Sequence, residues 1–249
     1  MKTINNYIQE KLNLSARKYT CKPKDKYELI KIIEERLEQN KDANLNDIDV
    51  SDIKDMSWLF YDLNPHNIDI SDWDVSNVEN MEFMFMDCSK FNCDLSEWDV
   101  SKVKTMRSMF KGCKKFESNL DDWNVSNVTT MEGLFKNCIN FNSNLSNWDV
   151  SNVTTMYSMF NACSRFTGNL SNWDVSKVTN MNQMFSECYS FNCDLSDWDV
   201  SNVEDITYMF YNCKNFNCDL NKWNISKSAN TYAMFSGCKI EKPKWYKEK

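Results

Sequence analysis

Apolar residues return along this chain with a period of 25. With Ile48, Trp73, Trp98, Trp123, Trp148, Trp173, Trp198 and Trp223 as position zero of eight successive repeats, Val recurs at positions 2 and 5, Met at 8, Met-Phe at 11 and 12, Cys at 15, Phe at 18 and Leu at 22. A period of this length marks a repeat array, in which each unit buries its apolar face only against its neighbours. Positions 8, 11, 12 and 15 have the i, i+3, i+4, i+7 spacing of one helix face. The residue before them reads Asp55, Asn80, Thr105, Thr130, Thr155, Asn180, Asp205, Asn230, all of the kind that caps a helix N-terminus. Together they predict a helix of about two turns. The stretch from position 22 through the next Trp-Asp-Val lacks Pro and Gly and ends in strand formers, which predicts a short strand. The expected fold class is therefore an α/β repeat solenoid of eight 25-residue coils, each with a short strand and a short helix. Strands stacked at about 4.8 Å and helices at roughly 10 Å would splay the array on its helical side.

The pattern also divides the chain. Residues 48–238 form the array, residues 1–47 are expected to be a helical N-terminal cap, and residues 239–249 a C-terminal tail. In the leader, Asp25 and Glu28 form a capping-box-like start, and Leu29, Ile30, Ile33 and Leu37 form an apolar stripe that needs a surface to pack on. Ser at position 3 is present in all eight repeats between two apolar columns, which predicts a buried hydroxyl ladder at the turn. The Trp column is expected to be buried, with Trp223 in a frayed last coil and so less important than Trp148.

Charge narrows the range of partners. Of the net charge of −7, the leader contributes +2 and the tail +3, so the array itself carries about −12. An acidic array is a poor binder of phosphate backbones, and nucleic acid is not an expected partner. Of eleven cysteines, seven (Cys88, Cys113, Cys138, Cys163, Cys188, Cys213, Cys238) share position 15, where the first repeat has Leu63. A column that accepts an aliphatic residue predicts buried free thiols rather than disulfides or metal ligands. With no apolar stretch near Met1 resembling a signal peptide, and no run long enough to span a bilayer, the expected compartment is a reducing cytoplasm, with no membrane partner.

The run Trp148-Asp149-Val150-Ser151-Asn152-Val153-Thr154, with Met156, Met159 and Phe160 after it, resembles the bacterial surface-protein type of leucine-rich repeat. More closely, it resembles the W-D-V-S-N-V-T-x-M-x-x-M-F repeats of mycoplasmas, gut bacteria and their phages. Asn44-Leu45-Asn46-Asp47 is similar to the entry into the first repeat of that family, and Lys26-Tyr27-Glu28-Leu29-Ile30 to the start of the helix that precedes such arrays. The resemblance implies a leucine-rich-repeat-like architecture used for binding and no enzymatic activity. It also allows a phage or mobile-element source, in which case the partner would be a host protein.

Candidate chemistry is sparse. The Asp after each Trp becomes Asn124 and Asn224 in two repeats, and position 21 mixes Asp69, Asp94, Asp194 and Asp219 with Asn119, Asn144 and Asn169. What these residues share is a short acceptor oxygen, which favours turn hydrogen bonds over calcium. His66 is the single histidine and has no nucleophile or second base beside it. Cys93, Cys193 and Cys218 at position 20 alternate with Ser118, Ser143 and Gly168, as small residues would. No catalytic residue, cofactor site or metal site is expected. The informative positions are those that stacking leaves free to vary. Positions 10 and 13 are small or polar in the middle repeats but aromatic or apolar near the ends: Trp58, Tyr61, Phe83 and Met86 at one end, Tyr208 and Tyr211 at the other, with Tyr189 and Tyr232 nearby. The first group has the leader helix as a candidate cover. The second has only the tail around Trp245-Tyr246. Of these, Tyr189, Tyr208, Tyr211, Tyr232, Trp58, Tyr61 and Phe83 are the candidate partner-binding residues. The expected function is a non-enzymatic protein–protein interaction module. A self-assembling structural array and an acidic decoy that mimics nucleic acid are the alternatives.

Overall fold

The computed structural model describes residues 19–247. Before the array comes α1 (Lys26–Gln39), whose Asp25 side chain accepts from the Glu28 N–H while the Glu28 carboxylate accepts from the Lys24 N–H. Leu29, Ile33 and Leu37 are buried in the same core as the repeats. Arg36 pairs with Asp47, and Lys26 reaches Asp55 and the Ser57 hydroxyl, so α1 lies against the first repeat. Just upstream, Cys21 bridges Ile48 in parallel. The part of the expected cap before Tyr19 lies outside the described residues.

The expected α/β solenoid, with one strand and one helix per coil, is corrected by the structure. Among the described residues α1 is the one helix, and no strand forms. Pairing between repeats is limited to isolated parallel bridges, chiefly along the column Asp55, Asn80, Thr105, Thr130, Thr155, Asn180, Asp205, Asn230. The segment read as a helix is a run of tight turns. Residues at positions 10 and 14 have positive φ throughout, from Trp58 (64°) and Asp62 (62°) to Ala233 (49°) and Gly237 (79°). A left-handed residue every fourth position cannot continue a right-handed helix. The amides divide accordingly. N–H groups at positions 11, 13 and 15 close turns three residues back, as Met159 to Met156 and Cys163 to Phe160 do. Those at 8, 10, 12 and 14 donate to the next repeat, as Met156, Ser158, Phe160 and Ala162 do to the carbonyls of Asn180, Asn182, Met184 and Ser186. Apolar spacing of 3, 4 and 7 is therefore met by a ribbon of turns whose backbone bonds run between repeats.

The capping column keeps its chemistry but not its helix. Asn80 and Asn180 side chains accept from the N–H two residues on, as an Asx turn does. The same bond recurs at positions 1 and 21, from the Ser101 N–H to Asp99, from Ser126 to Asn124 and from Ser146 to Asn144, where Asp and Asn serve alike. The Ser column at position 3 is not a buried ladder. Its serines are half-buried or exposed, and from Ser51 to Ser201 their N–H groups are held by the Asp or Asn two residues before.

The core consists of columns of identical side chains. Phe85, Phe110, Phe135, Phe160, Phe185 and Phe210 stack ring on ring at 5.5–5.8 Å, each also against the Phe six residues later. Each ring is fully buried, which stabilises by roughly 1.5–3 kcal/mol per side chain relative to exposure. The Trp column is buried too, but the indole is more than bulk. Nε1 of each Trp donates to the Leu or Ile carbonyl 28 residues earlier, as Trp148 does to Leu120 at 2.9 Å and Trp98 to Ile70 at 3.2 Å. The cysteine column repeats the arrangement. Cys163 donates to the Phe135 carbonyl and Cys138 to Phe110, both at 2.9 Å and again 28 residues back. The first repeat has no repeat before it to supply such a carbonyl, and there Ile48 and Leu63 replace Trp and Cys.

The tail completes the column. Trp245 stacks on Trp223 at 6.3 Å and donates Nε1 to the Leu220 carbonyl, while Tyr246 packs edge-on against Phe235 at 5.0 Å. Trp223 is therefore covered rather than frayed.

Candidate functional site

Positions 10 and 13, read as the outer face of a helix, lie on the turn ribbon, where Ser108, Ser158 and Ser186 are buried and the aromatic residues nearer the ends are exposed or half-buried. Two aromatic clusters stand there. In the first, Trp58 stacks on Phe83 at 4.2 Å and meets Tyr61 edge-on at 5.1 Å, with the Arg107 guanidinium 5.5 Å from the Phe83 ring. The leader helix does not cover this cluster: Trp58 remains 44% exposed and Tyr61 36%. The apolar stripe of α1 goes to the core instead.

In the second cluster Tyr208 meets Tyr211 and Tyr232 edge-on, at 5.6 and 5.5 Å. The tail packs on Trp223 and Phe235 and leaves Tyr232 48% exposed. Partial burial, and after it the Tyr232 hydroxyl, push the Tyr208 phenol above its ordinary value. These three tyrosines form one end of an open groove of about 590 Å³ whose remaining lining includes Asn161, Gln183, Ser186 and Glu187. Tyr189 is not part of it. Its ring is exposed elsewhere, with Lys214 Nζ 5.3 Å from the centroid.

The polar side of this groove was not singled out from sequence. Gln183 and Ser186 vary in the same columns as the tyrosines, and Glu187 and Ala162 occupy the second positive-φ column. The available signal was variability at positions 10, 13 and 14 together. Close by in the ribbon, two buried polar atoms, Ser158 Oγ and Asn182 Oδ1, have no hydrogen-bond partner.

Other candidates resolve into structure. His66 Nε2 lies 3.0 Å from Lys90 Nζ, and its backbone N–H donates to the Lys41 carbonyl. Cys193 and Cys218 accept from the Leu170 and Leu195 N–H groups, as Ser118 and Ser143 do from Leu95 and Leu120. Burial pushes the Cys88 thiol up to about 12 and that of Cys93 to about 11, and holds Cys113, Cys138, Cys163 and Cys188 well above the ordinary thiol value. Among the described residues no three His, Cys, Asp or Glu side chains gather as a metal site would require, and no helix is long and apolar enough to cross a membrane.

No curated protein and no solved structure matches the chain. The family described as Mycoplasma protein of unknown function, DUF285, matches twice in tandem, over residues 31–148 and 129–246. These two spans cover the repeats, and the chain belongs to that family of mycoplasma-type repeat proteins.

Proposed function

We propose that this protein is a non-enzymatic interaction module that binds another protein through the groove ending in Tyr208, Tyr211 and Tyr232. The observation that carries the reading is an aromatic cluster packed edge-on and partly exposed beside a polar groove, while α1 turns Leu29, Ile33 and Leu37 into the core and Trp245 and Tyr246 pack on Trp223 and Phe235. Tyrosine supplies large, rigid contact area at low entropic cost and is enriched where partners bind most tightly. The Trp58, Tyr61 and Phe83 cluster offers a second contact on the same columns, and Tyr189 a more isolated one. The resemblance of the repeats to the surface-protein type of leucine-rich repeat supports a binding role. A phage or mobile-element source would make the partner a host protein. Cysteines that donate to backbone carbonyls as free thiols suit a reducing compartment, and we place the protein in the cytoplasm.

The test compares the native protein with Tyr208→Ser/Tyr232→Ser as bait. A protein retained by the first and lost by the second, at unchanged thermal stability, supports the reading. A partner displaced by DNA would favour the acidic decoy instead, and size that grows with concentration in light scattering would favour self-assembly.

A further inference from the structure

Each repeat hands a row of amides to its successor, and the last repeat has none. At every junction from the second repeat onward four N–H groups cross, as Met181, Gln183, Phe185 and Glu187 donate to Asp205, Thr207, Met209 and Tyr211. In the eighth repeat the equivalent N–H groups of Thr231, Ala233, Phe235 and Gly237 meet no acceptor among the described residues, whereas those of Met234, Ser236 and Cys238 close turns within the repeat. Ala233 and Gly237 keep their positive φ, so the row is held in the same conformation as inside the array. Residues 231–237 therefore present a row of donors, beside the carbonyl of Ala229, whose counterpart Glu204 accepts from Asn230 in the preceding junction. The carbonyls of Asn230, Tyr232, Met234 and Ser236 face backwards and accept from the seventh repeat. An ordinary strand edge mixes N–H and C=O groups and would set donors against donors here.

The end is also electrostatically distinct. Residues 223–240 contain no Asp or Glu, and Lys227, Lys239, Lys242, Lys244 and Lys247 follow in or just after this repeat, in a chain whose array is otherwise strongly acidic. The tail seats its rings on Trp223 and Phe235, and among the described residues none of its groups accepts from the row. At the opposite end α1 lies against the first repeat, so the two ends are not equivalent.

We propose that this terminal edge docks an acidic segment of a partner protein, with carboxylates from alternate residues accepting from the four amides. Side chains on one side of an extended peptide recur every second residue, and the free amides of the row likewise fall on every second residue. Hydrogen bonds from amides to carboxylates are among the stronger kinds. A nucleic acid fits less well, because any polyanion extending past the last repeat meets the acidic array. The site is separate from the tyrosine groove and stands or falls without it.

The experiment follows amide resonances of the isotopically labelled full-length protein during titration with a synthetic peptide of alternating Glu and Ser. The expected result is a shift of the Thr231, Ala233, Phe235 and Gly237 amides, with the Gln counterpart binding about tenfold more weakly or worse. Lys227→Glu/Lys239→Glu should weaken binding, and so should Thr231→Pro, which deletes one donor that meets no acceptor among the described residues. Should Thr231→Pro not fold, the lysine variant and the four native resonances still decide. No shift in the row at millimolar peptide, equal binding of the Gln peptide, or tighter binding of a thymidine oligonucleotide would each overturn the proposal.

Discussion

At the scale of single residues, the recurrent Trp and Cys are hydrogen-bond donors inside an apolar column. The carbonyl that each one meets already accepts a backbone N–H: Leu120 takes both the Trp123 amide and the Trp148 indole. Losing the indole donor therefore leaves no orphaned acceptor. Trp148→Phe is expected to cost about 1 kcal/mol for the lost bond, plus a smaller packing loss. Trp148→Ala opens a large cavity and should cost about 3–5 kcal/mol. Because Trp245 covers Trp223, Trp223→Ala should cost nearly as much in the same denaturant unfolding measurement, and a much smaller loss there would show that the tail does not hold its place in solution. The thiols allow a second check. Cys21 and Cys238 are only half-buried, so they should react first with a thiol reagent, while Cys113, Cys138, Cys163 and Cys188 react on the timescale of unfolding. Rapid modification of those four would contradict the buried column.

At the scale of one repeat, the turns depend on side-chain oxygens and on left-handed residues. The Ser96 N–H and hydroxyl hold the Asp94 carboxyl below its ordinary range, and the Ser176 hydroxyl and N–H do the same for Asp174. A carboxylate with a depressed folded pKa contributes stability that is complete above its unfolded value and disappears as pH falls through the folded one. Thermal stability should therefore hold above about pH 5 and decline as the pH drops below about 4. The variant Asp174→Asn keeps an acceptor and should flatten that decline. A decline just as steep in Asp174→Asn would remove this Asp from the account. The left-handed positions give a separate test. Glu187 has φ 62°, where a β-branched side chain is strained and glycine is not. Glu187→Val should lose about 1–2 kcal/mol and Glu187→Gly should be neutral or stabilising. If both behave alike, the turn is not held as described.

Over the whole molecule, stability is shared between neighbours, so the ends matter most. Removal of residues 1–47 would take away Cys21, which bridges Ile48, along with the buried Leu29, Ile33 and Leu37. The truncated protein should aggregate or lose its first repeats to proteolysis. Equal solubility and equal protection would mean that α1 adds nothing to the array. The far-ultraviolet circular dichroism of residues 19–247 should show little helical signal, in keeping with one 14-residue helix among the described residues.

The amino-acid pattern by itself determined the repeat length and the apolar columns, because stacking constrains the same position in repeat after repeat, and the spacing of Asp25 and Glu28 marked the cap of α1. It also located the variable aromatic positions, since those are where stacking imposes nothing. It could not separate a two-turn helix from a ribbon of turns. Both place positions 8, 11, 12 and 15 on one side, and the difference lies in the sign of φ at positions 10 and 14, which are filled by residues as different as Trp58, Gln183 and Gly133. Only the tertiary structure decided that. There, half of the ribbon amides bond to the following repeat instead of along the chain, and this long-range pairing holds non-glycine residues in a conformation that local preference disfavours. The same pairing leaves the last repeat with a row of donors that no local sequence feature announces.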